Sequence, residues 1–196
     1  MSSIFEHLRE RINEYSVGMI ATKTGKEMRI LERLFTEEEA EVYLGMTRSL
    51  EAPKTIAARC GKEELKTAKL LEDMTDKGLT FPLTVEGNRY YAAAPFMHGF
   101  FEQQLLRKEQ DPQLAPLIED YLMDGFVSQT TTLRAIPVGI TIEPRDNILP
   151  YDNVRKIIES KDKIAVCQCF CRHHMEGAGK GSDCQKPHEM LSLIHI

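Results

Sequence analysis

Four cysteines fall within eighteen residues, in Val166-Cys-Gln-Cys-Phe-Cys-Arg-His-His174 and then at Cys184. No other feature constrains the chain as tightly. Thiolates are soft ligands that select zinc, copper(I) or iron–sulfur clusters over magnesium or calcium. In a reducing compartment, clustered cysteines bind metal more often than they form disulfides. On an extended strand, residues two apart share a face but stand well separated along it. Cys167, Cys169 and Cys171 therefore need a bend to converge on one centre. Gly177, Gly179 and Gly181 offer a return path towards Cys184, or equally a mobile loop. A tetrahedral zinc set such as Cys169, Cys171, Cys184 and His188 is the rival arrangement. Zinc sites usually place two or more residues between paired cysteines, and here one separates each pair. The adjacent His173 and His174 diverge, so at most one ligates, and a hydrogen-bonded or exposed role is expected for either. Free exposed thiols would oxidise, which argues against four unengaged cysteines. Lys180-Gly-Ser lacks the spacing of a phosphate loop.

The remaining sequence fits one or two small globular units, with 196 residues and 42% hydrophobic content to build their cores. A formal net charge of -5 gives no global attraction for nucleic acid or anionic membranes. No apolar run approaches the roughly 18 to 20 residues that span a bilayer. The first ten residues lack the basic and apolar regions of a secretory signal. These features fit a cytoplasmic protein.

Periodicity outlines the elements. Ile4, Phe5, Leu8 and Ile12 predict a helix over 3–15, followed by a loop over 16–26. A second helix starts at Glu27 with Met28, Ile30, Leu31 and Leu34 as its apolar positions. Thr36-Glu-Glu-Glu39 is a capping box that opens a third. Pro53 opens a short helix ending at Cys60, and Gly61 is a turn. Lys62–Lys77 forms a longer helix, with Leu65, Ala68, Leu70, Leu71 and Met74 apolar and Gly78 as its stop. Leu79–Val85, Glu86-Gly-Asn88 and Arg89–Ala93 read as strand, turn, strand. That order is the order of a winged helix-turn-helix domain. Residues 100–127 are helical with a break at Asp111-Pro112. Residues 135–142 are extended, Pro144 and Pro150 punctuate, and 152–160 is a helix. Ile164-Ala-Val166 is a short strand that delivers the cysteines. The fold class is α+β, mainly helical: a winged helix-turn-helix-like domain, a helical linker region and a small cysteine-rich segment.

A winged helix that reads DNA needs cations for the phosphates. The helix over 62–77 carries Lys62, Lys66, Lys69 and Lys77 against Glu63, Glu64, Glu72, Asp73 and Asp76. Its balance is negative, which argues against DNA and for packing or partner docking. Cys60 stands alone and reads as a buried structural thiol.

The chain resembles the 4Fe–4S ferredoxin-type proteins of anaerobic bacteria and archaea that carry an N-terminal winged-helix-like region. The matching residues are Ile148-Leu-Pro-Tyr151 and the helix after it, Ile164-Ala-Val-Cys-Gln-Cys-Phe-Cys-Arg-His173, and Cys184-Gln-Lys-Pro-His-Glu-Met190. Arg134-Ala-Ile-Pro-Val138 and Phe96-Met-His-Gly-Phe-Phe101 also fit. By that resemblance the family's Cys-x-Cys-Arg pair maps to Cys169 and Cys171, and its third cysteine to Cys184. A fourth is expected after Met190, where Leu191 stands. Cys167 is extra to the pattern, a substitute ligand or a bystander. The resemblance implies a 4Fe–4S cluster-binding electron-transfer protein, with a redox partner protein and no enzymatic activity of its own. Arg172 and Lys186 would favour the reduced cluster or stand as solvated charges. The resulting division is an N-terminal helix and loop over 1–26, the winged-helix-like domain over 27–98, a connector over 99–150 and an incomplete iron–sulfur segment over 151–190. Two alternatives are a redox- or oxygen-sensing winged-helix regulator of transcription and a zinc-stabilised interaction module.

Leu191-Ser-Leu-Ile-His-Ile196 can be encoded by CTG TCT CTT ATA CAC ATC, the start of the end sequence of a transposase-based sequencing adapter. Residues 191–196 are therefore expected to be an adapter remnant joined to natural coding sequence at about Met190. The alternative is an ordinary apolar strand. Resequencing the source DNA across this junction, without transposon adapters, is expected to give a cysteine codon after Met190 and further cysteine-rich sequence. A genuine Leu-Ser-Leu-Ile-His-Ile and stop would overturn that expectation.

Overall fold

The computed structural model describes residues 3–15, 18–107, 111–126, 159–160, 164–181 and 191–195, with 105, 106, 126, 164–167 and 191–195 described by backbone alone. Helix α1 (Ile4–Asn13) begins at a capping box that the sequence reading had not named. Ser3 Oγ accepts from the Glu6 N–H at 3.2 Å and the Glu6 carboxylate accepts from the Ser3 N–H at 2.8 Å. Helix α2 (Lys26–Leu34) buries Ile30, Leu31 and Leu34, as their spacing predicts. Helix α3 (Glu37–Leu44) starts at the expected box, with Thr36 Oγ1 accepting from the Glu39 N–H at 3.2 Å and the Glu39 carboxylate returning the bond at 2.8 Å. Two otherwise orphan donors are satisfied at each such end.

Helix α4 (Pro53–Cys60) has proline in its first turn, where the missing N–H costs no helical bond. Gly61, left-handed at φ 63°, turns the chain into α5 (Glu64–Asp76). The apolar face of α5 is narrower than expected. Thr67, Leu71 and Met74 are buried, whereas Leu65 is 78% exposed. Leu65 lies two positions from Thr67, about 200° round the helix at 3.6 residues per turn, and so faces away from the core.

Strands β1 (Thr80–Val85) and β2 (Asn88–Ala93) pair antiparallel from Thr80↔Ala93 to Val85↔Asn88. Glu86 (φ 50°) and Gly87 (φ 80°) make the turn, both left-handed as a two-residue hairpin of this type requires. Glu51 bridges to the far side of β2, exchanging both backbone hydrogen bonds with Tyr91 at 3.0 and 2.9 Å. Because Tyr91 spends its backbone on Glu51, its β1 partner Pro82 faces the open edge of the hairpin. Proline has no N–H to offer there, which blunts pairing with another strand. One hairpin face, with Thr80, Tyr91 and Ala93, is buried. The opposite face leaves Phe81, Leu83 and Val85 partly exposed.

A kinked helical turn, Phe96–Phe100, leads into α6 (Phe101–Leu106). Helix α7 (Leu114–Tyr121) follows the expected break at Asp111-Pro112 and runs into a wider turn, Leu122–Phe126. Phe35, Tyr43, Phe96, Phe100, Phe101 and Tyr121 meet in the core. Three polar ties fix that junction. Tyr43 Oη donates to the Ala94 carbonyl at 2.5 Å, Tyr121 Oη donates to the Ile20 carbonyl at 3.1 Å, and Arg33 pairs with Asp111, Nη2 to Oδ1 at 2.9 Å. Helix α7 thereby packs along α2.

Strand β3 (Ile164–Cys167) is followed by α8 (Phe170–Gly177). Strand β4 (Leu191–His195) pairs antiparallel with β3, Ile164↔His195 to Cys167↔Leu191, with an irregularity between Ala165 and Cys167. The expected extended stretch over 135–142, Pro144, Pro150 and the helix over 152–160, apart from its last two residues, lie outside the described residues. Among the described residues the protein is mainly helical with two two-stranded antiparallel sheets, and no helix is long and apolar enough to cross a membrane.

The α3–α4 packing rests on Gly45, where a Cβ would overlap Cys60 Sγ. The Gly45 backbone itself (φ -84°, ψ -7°) suits any residue. Gly45→Ala is therefore expected to cost about 1–3 kcal/mol in urea unfolding through overpacking. Most of that loss should vanish in the Cys60→Ala background, a coupling of about 1 kcal/mol or more. Equal costs in both backgrounds would show that this contact is not the constraint.

Candidate functional site

The strand that delivers the cysteines runs one residue past its expected end at Val166, and the chain then bends. Strand β3 ends at Cys167, Gln168 and Cys169 turn, and α8 begins at Phe170. Cys169 is the N-cap residue (φ -68°, ψ 110°), and its carbonyl accepts from the His173 N–H at 3.1 Å. Cys171 therefore belongs to the first helical turn and not to the strand. The bend that convergence demands is this strand-to-helix junction. A helix forms because Phe170 and His174, four apart, share the face that docks on the protein.

That docking is specific. Phe170 meets the Phe101 ring edge-on with centroids 6.1 Å apart, and the His174 ring meets Phe101 edge-on at 5.2 Å. Gly177 comes so close to α7 that a Cβ there would sit 3.1 Å from the Ala115 methyl. His174 is buried, and its Nε2 pairs with Glu119 Oε2 at 3.0 Å. Lys180 Nζ donates to Glu119 Oε1 at 2.6 Å. One carboxylate of α7 thus holds the middle of α8 and the residue just beyond its C-terminal end. The hydrogen-bonded role expected for a histidine of the His-His pair falls to His174. Arg172 is 7% exposed, which corrects its reading as a solvated surface charge. Glu119 and Lys180 are residues that sequence reasoning missed.

Cys169 is 6% exposed and Cys171 is open to solvent. Burial pushes the Cys171 thiol above its ordinary range, and the neighbouring Cys169 and the Glu102 carboxylate push the same way. A thiol held protonated binds metal with release of its proton, so loading at Cys171 becomes easier as pH rises. Cys167 is placed by its backbone at the end of β3. Cys184, Lys186 and His188 lie outside the described residues. Among the described residues no group of three or more His, Cys, Asp or Glu side chains is disposed to hold a metal ion. Two thiols are present there, and a complete set needs more of the chain. Two surface clefts, about 290 Å³ beside Gly78 and Arg107 and about 350 Å³ beside Arg9 and Glu27, have no cysteine in their linings.

Cys60 is half-buried against Gly45, and its Sγ donates to the Val42 carbonyl at 3.8 Å. Burial raises its thiol as well, in keeping with a structural role.

The Lys180 hydrogen bond, with His174 beside it, holds the Glu119 carboxyl below the usual carboxylate range although burial opposes them. A depressed folded-state value means that Glu119 stabilises the fold above its unfolded value, near 4.3, and that this contribution fades as pH falls through the folded value. Glu119→Gln is expected to lower stability at pH 7 and to flatten the loss of stability below about pH 4.3. Urea unfolding across pH 3–7 measures both. An acid limb as steep as the parent's would remove Glu119 from that role.

Compared with protein-family models, curated proteins and solved structures, the chain gives no significant match to any of them.

Proposed function

We propose that the chain is part of a 4Fe–4S electron-transfer protein of ferredoxin-like type, with Cys169, Cys171, Cys184 and Cys167 as the thiolate ligands. The observation that carries this reading is the placement of Cys169 and Cys171 at the start of one docked helix, the first shielded and the second open to solvent. A strand end, Cys167, stands two residues before them. Four thiolates are the usual requirement of a cubane cluster, which supplies one-electron storage when bound. The residues fit that group in kind, since soft sulfur donors suit it. The first-turn N–H groups of α8 lack intrahelical acceptors and favour negative charge at that end of the helix. The buried Arg172 adds positive charge beside the ligands and favours the reduced, more negative state.

The N-terminal unit serves this reading as a winged-helix-like module that packs or docks a partner protein. Its element order, α3, α4, α5, then the β1–β2 hairpin with Glu51 bridged to β2, is that of a winged helix. Several of its cations are engaged with carboxylates. Lys62 pairs with Glu41 at 2.5 Å, Lys66 with Glu38 at 2.8 Å, Lys77 with Glu39 at 2.7 Å and Arg89 with Glu72 at 3.1 Å. DNA phosphates would have to compete with those carboxylates for every such contact.

Anaerobic reconstitution with ferrous iron and sulfide tests the reading. The expected product contains iron and acid-labile sulfide at about four each per chain. Cys169→Ser and Cys171→Ser should each remove most of both while the far-ultraviolet spectrum of the helical fold is retained. Stoichiometric zinc without sulfide would put the zinc-stabilised module in its place.

A further inference from the structure

Strand β1 turns its more apolar side outward. Thr80, Pro82 and Thr84 lie on the face that meets α5, where Thr80 bonds Thr75 and the opposite strand's Tyr91 and Arg89 bond Glu72. Leu79, Phe81, Leu83 and Val85 alternate onto the other face. At the base of the hairpin that face belongs to the core, with Leu79 and Ala94 fully buried. Beyond the base it is bare, and Phe81 is 37%, Leu83 44% and Val85 46% exposed. Phe81 lies opposite Ala92, and Leu83 opposite the half-buried Tyr90. Leu50 joins them. It precedes Glu51, which pairs with Tyr91, so alternation sets Leu50 beside Ala92, and it is 46% exposed. A sheet face left to water is ordinarily polar. Here none of these positions carries a charge.

We propose that this face docks an amphipathic helix of a partner protein. The inference rests on the docking role given above to the N-terminal unit, and it supplies the surface and the partner's chemistry. Size selects the occupant. Strand β1 has six residues, about 20 Å, and three strands at about 4.8 Å cover roughly 14 Å, on the order of 300 Å² in all. A second copy laid face to face would need about 800 Å² from each chain for a stable dimer. A helix of about 13 residues is roughly 20 Å long and about 10–12 Å across, which covers the face once. Strand addition is the other way to extend a sheet, and Pro82 withholds the N–H it needs at the open edge. The helix therefore binds through side chains, with an uncharged stripe at i, i+3, i+4 and i+7 set against Leu50, Phe81, Leu83 and Val85. Charge fixes its direction. Glu86 at the hairpin tip is exposed, and its carboxylate has no hydrogen-bond or ion-pair partner among the described residues. The end of the helix that reaches the tip carries a Lys or Arg.

The test uses the full chain and a displayed library of helices of about 14 residues. Their stripe positions vary among Leu, Ile, Met and Phe, and their end turns vary between Lys and Glu. Selected helices are made as peptides and titrated against the protein. The expected result is binders with Lys at one end, whose Kd rises about tenfold or more on Leu83→Asp because docking would bury an unpaired carboxylate. Glu86→Lys should reverse the end preference, so that peptides ending in Glu bind the tighter. Leu65→Asp, on the exposed side of α5, should change neither, which separates this face from general stickiness. Circular dichroism of each variant reports the fold, and iron and sulfide content after reconstitution reports the iron–sulfur reading independently of helix binding. No binder, or binders indifferent to Leu83→Asp, would overturn the proposal. A dimer in sedimentation that Leu83→Asp dissolves would overturn it in favour of a second copy. Slow alkylation of a cysteine placed by Leu83→Cys would overturn it by showing that another part of the same chain already covers the face.

Discussion

Phe96 is the contact on which the other parts of the structure depend. It is fully buried and touches Phe100, Phe101 and Tyr121, with ring centroids 5.4, 5.8 and 5.7 Å away. Phe100 continues to Phe35 at 6.0 Å, and Phe35 to Tyr43 at 5.4 Å, both edge-on. Phe101 continues the other way, to Phe170 and His174 on α8. A chain of ring contacts thus runs from the N-terminal helices to the cysteine-bearing helix. Edge-to-face aromatic pairs add about 0.5–1.5 kcal/mol each beyond the area they bury. Their geometry also limits sliding, so the two ends of this chain of rings share one set of positions.

The backbone around Phe96 is shaped to allow this. His98 adopts a left-handed conformation (φ 55°), and the His98 and Gly99 N–H groups both donate to the Glu102 carboxylate at 3.0 and 2.9 Å. A Cβ on Gly99 would stand 2.9 Å from the Pro95 ring. Glycine there lets the chain reverse tightly enough to put Phe96, Phe100 and Phe101 into one core. The run Phe96-Met-His-Gly-Phe-Phe101 is then a packing device. Its glycine and its capping glutamate matter as much as its rings.

Local chemistry was legible in the sequence, and contacts between distant segments were not. Thr36 and Glu39 are three residues apart, so their reciprocal caps follow from spacing alone. Pro53, Gly61 and Gly78 mark helix ends for backbone reasons that hold anywhere. Glu86-Gly-Asn88 gave the hairpin tip because two left-handed residues are needed there. Leu65 was misplaced because an apolar residue in a helix signals burial only when a neighbouring element covers that side. The helix that starts at Phe170 was not legible because Cys-x-Cys-x-Cys alternates like a strand, while Phe170 and His174 carry a helical period that only the Phe101 surface makes decisive. Glu119 was invisible for the same reason, being 55 residues from His174 and 61 from Lys180. No local pattern distinguishes it from any other helical glutamate. The pairing of Cys169 with Cys171 was read from their motif, but which of them is shielded depends on α6 and α7.

The asymmetry of that pair bears on how electrons would enter and leave on the proposed reading. A buried ligand keeps water from the metal and fixes its position, whereas an exposed ligand shortens the path to a partner. With Cys169 shielded and Cys171 at the surface, a partner would have to approach the first turn of α8 from the Cys171 side. The opposite side is closed, since Phe101, Ala115 and Glu119 occupy it. A partner held there meets a helix whose far face cannot shift without breaking the Glu119 bonds to both His174 and Lys180. Rigid support on one side and access on the other are joint consequences of placing the cysteines at the start of a helix whose other face docks through Phe170 and His174.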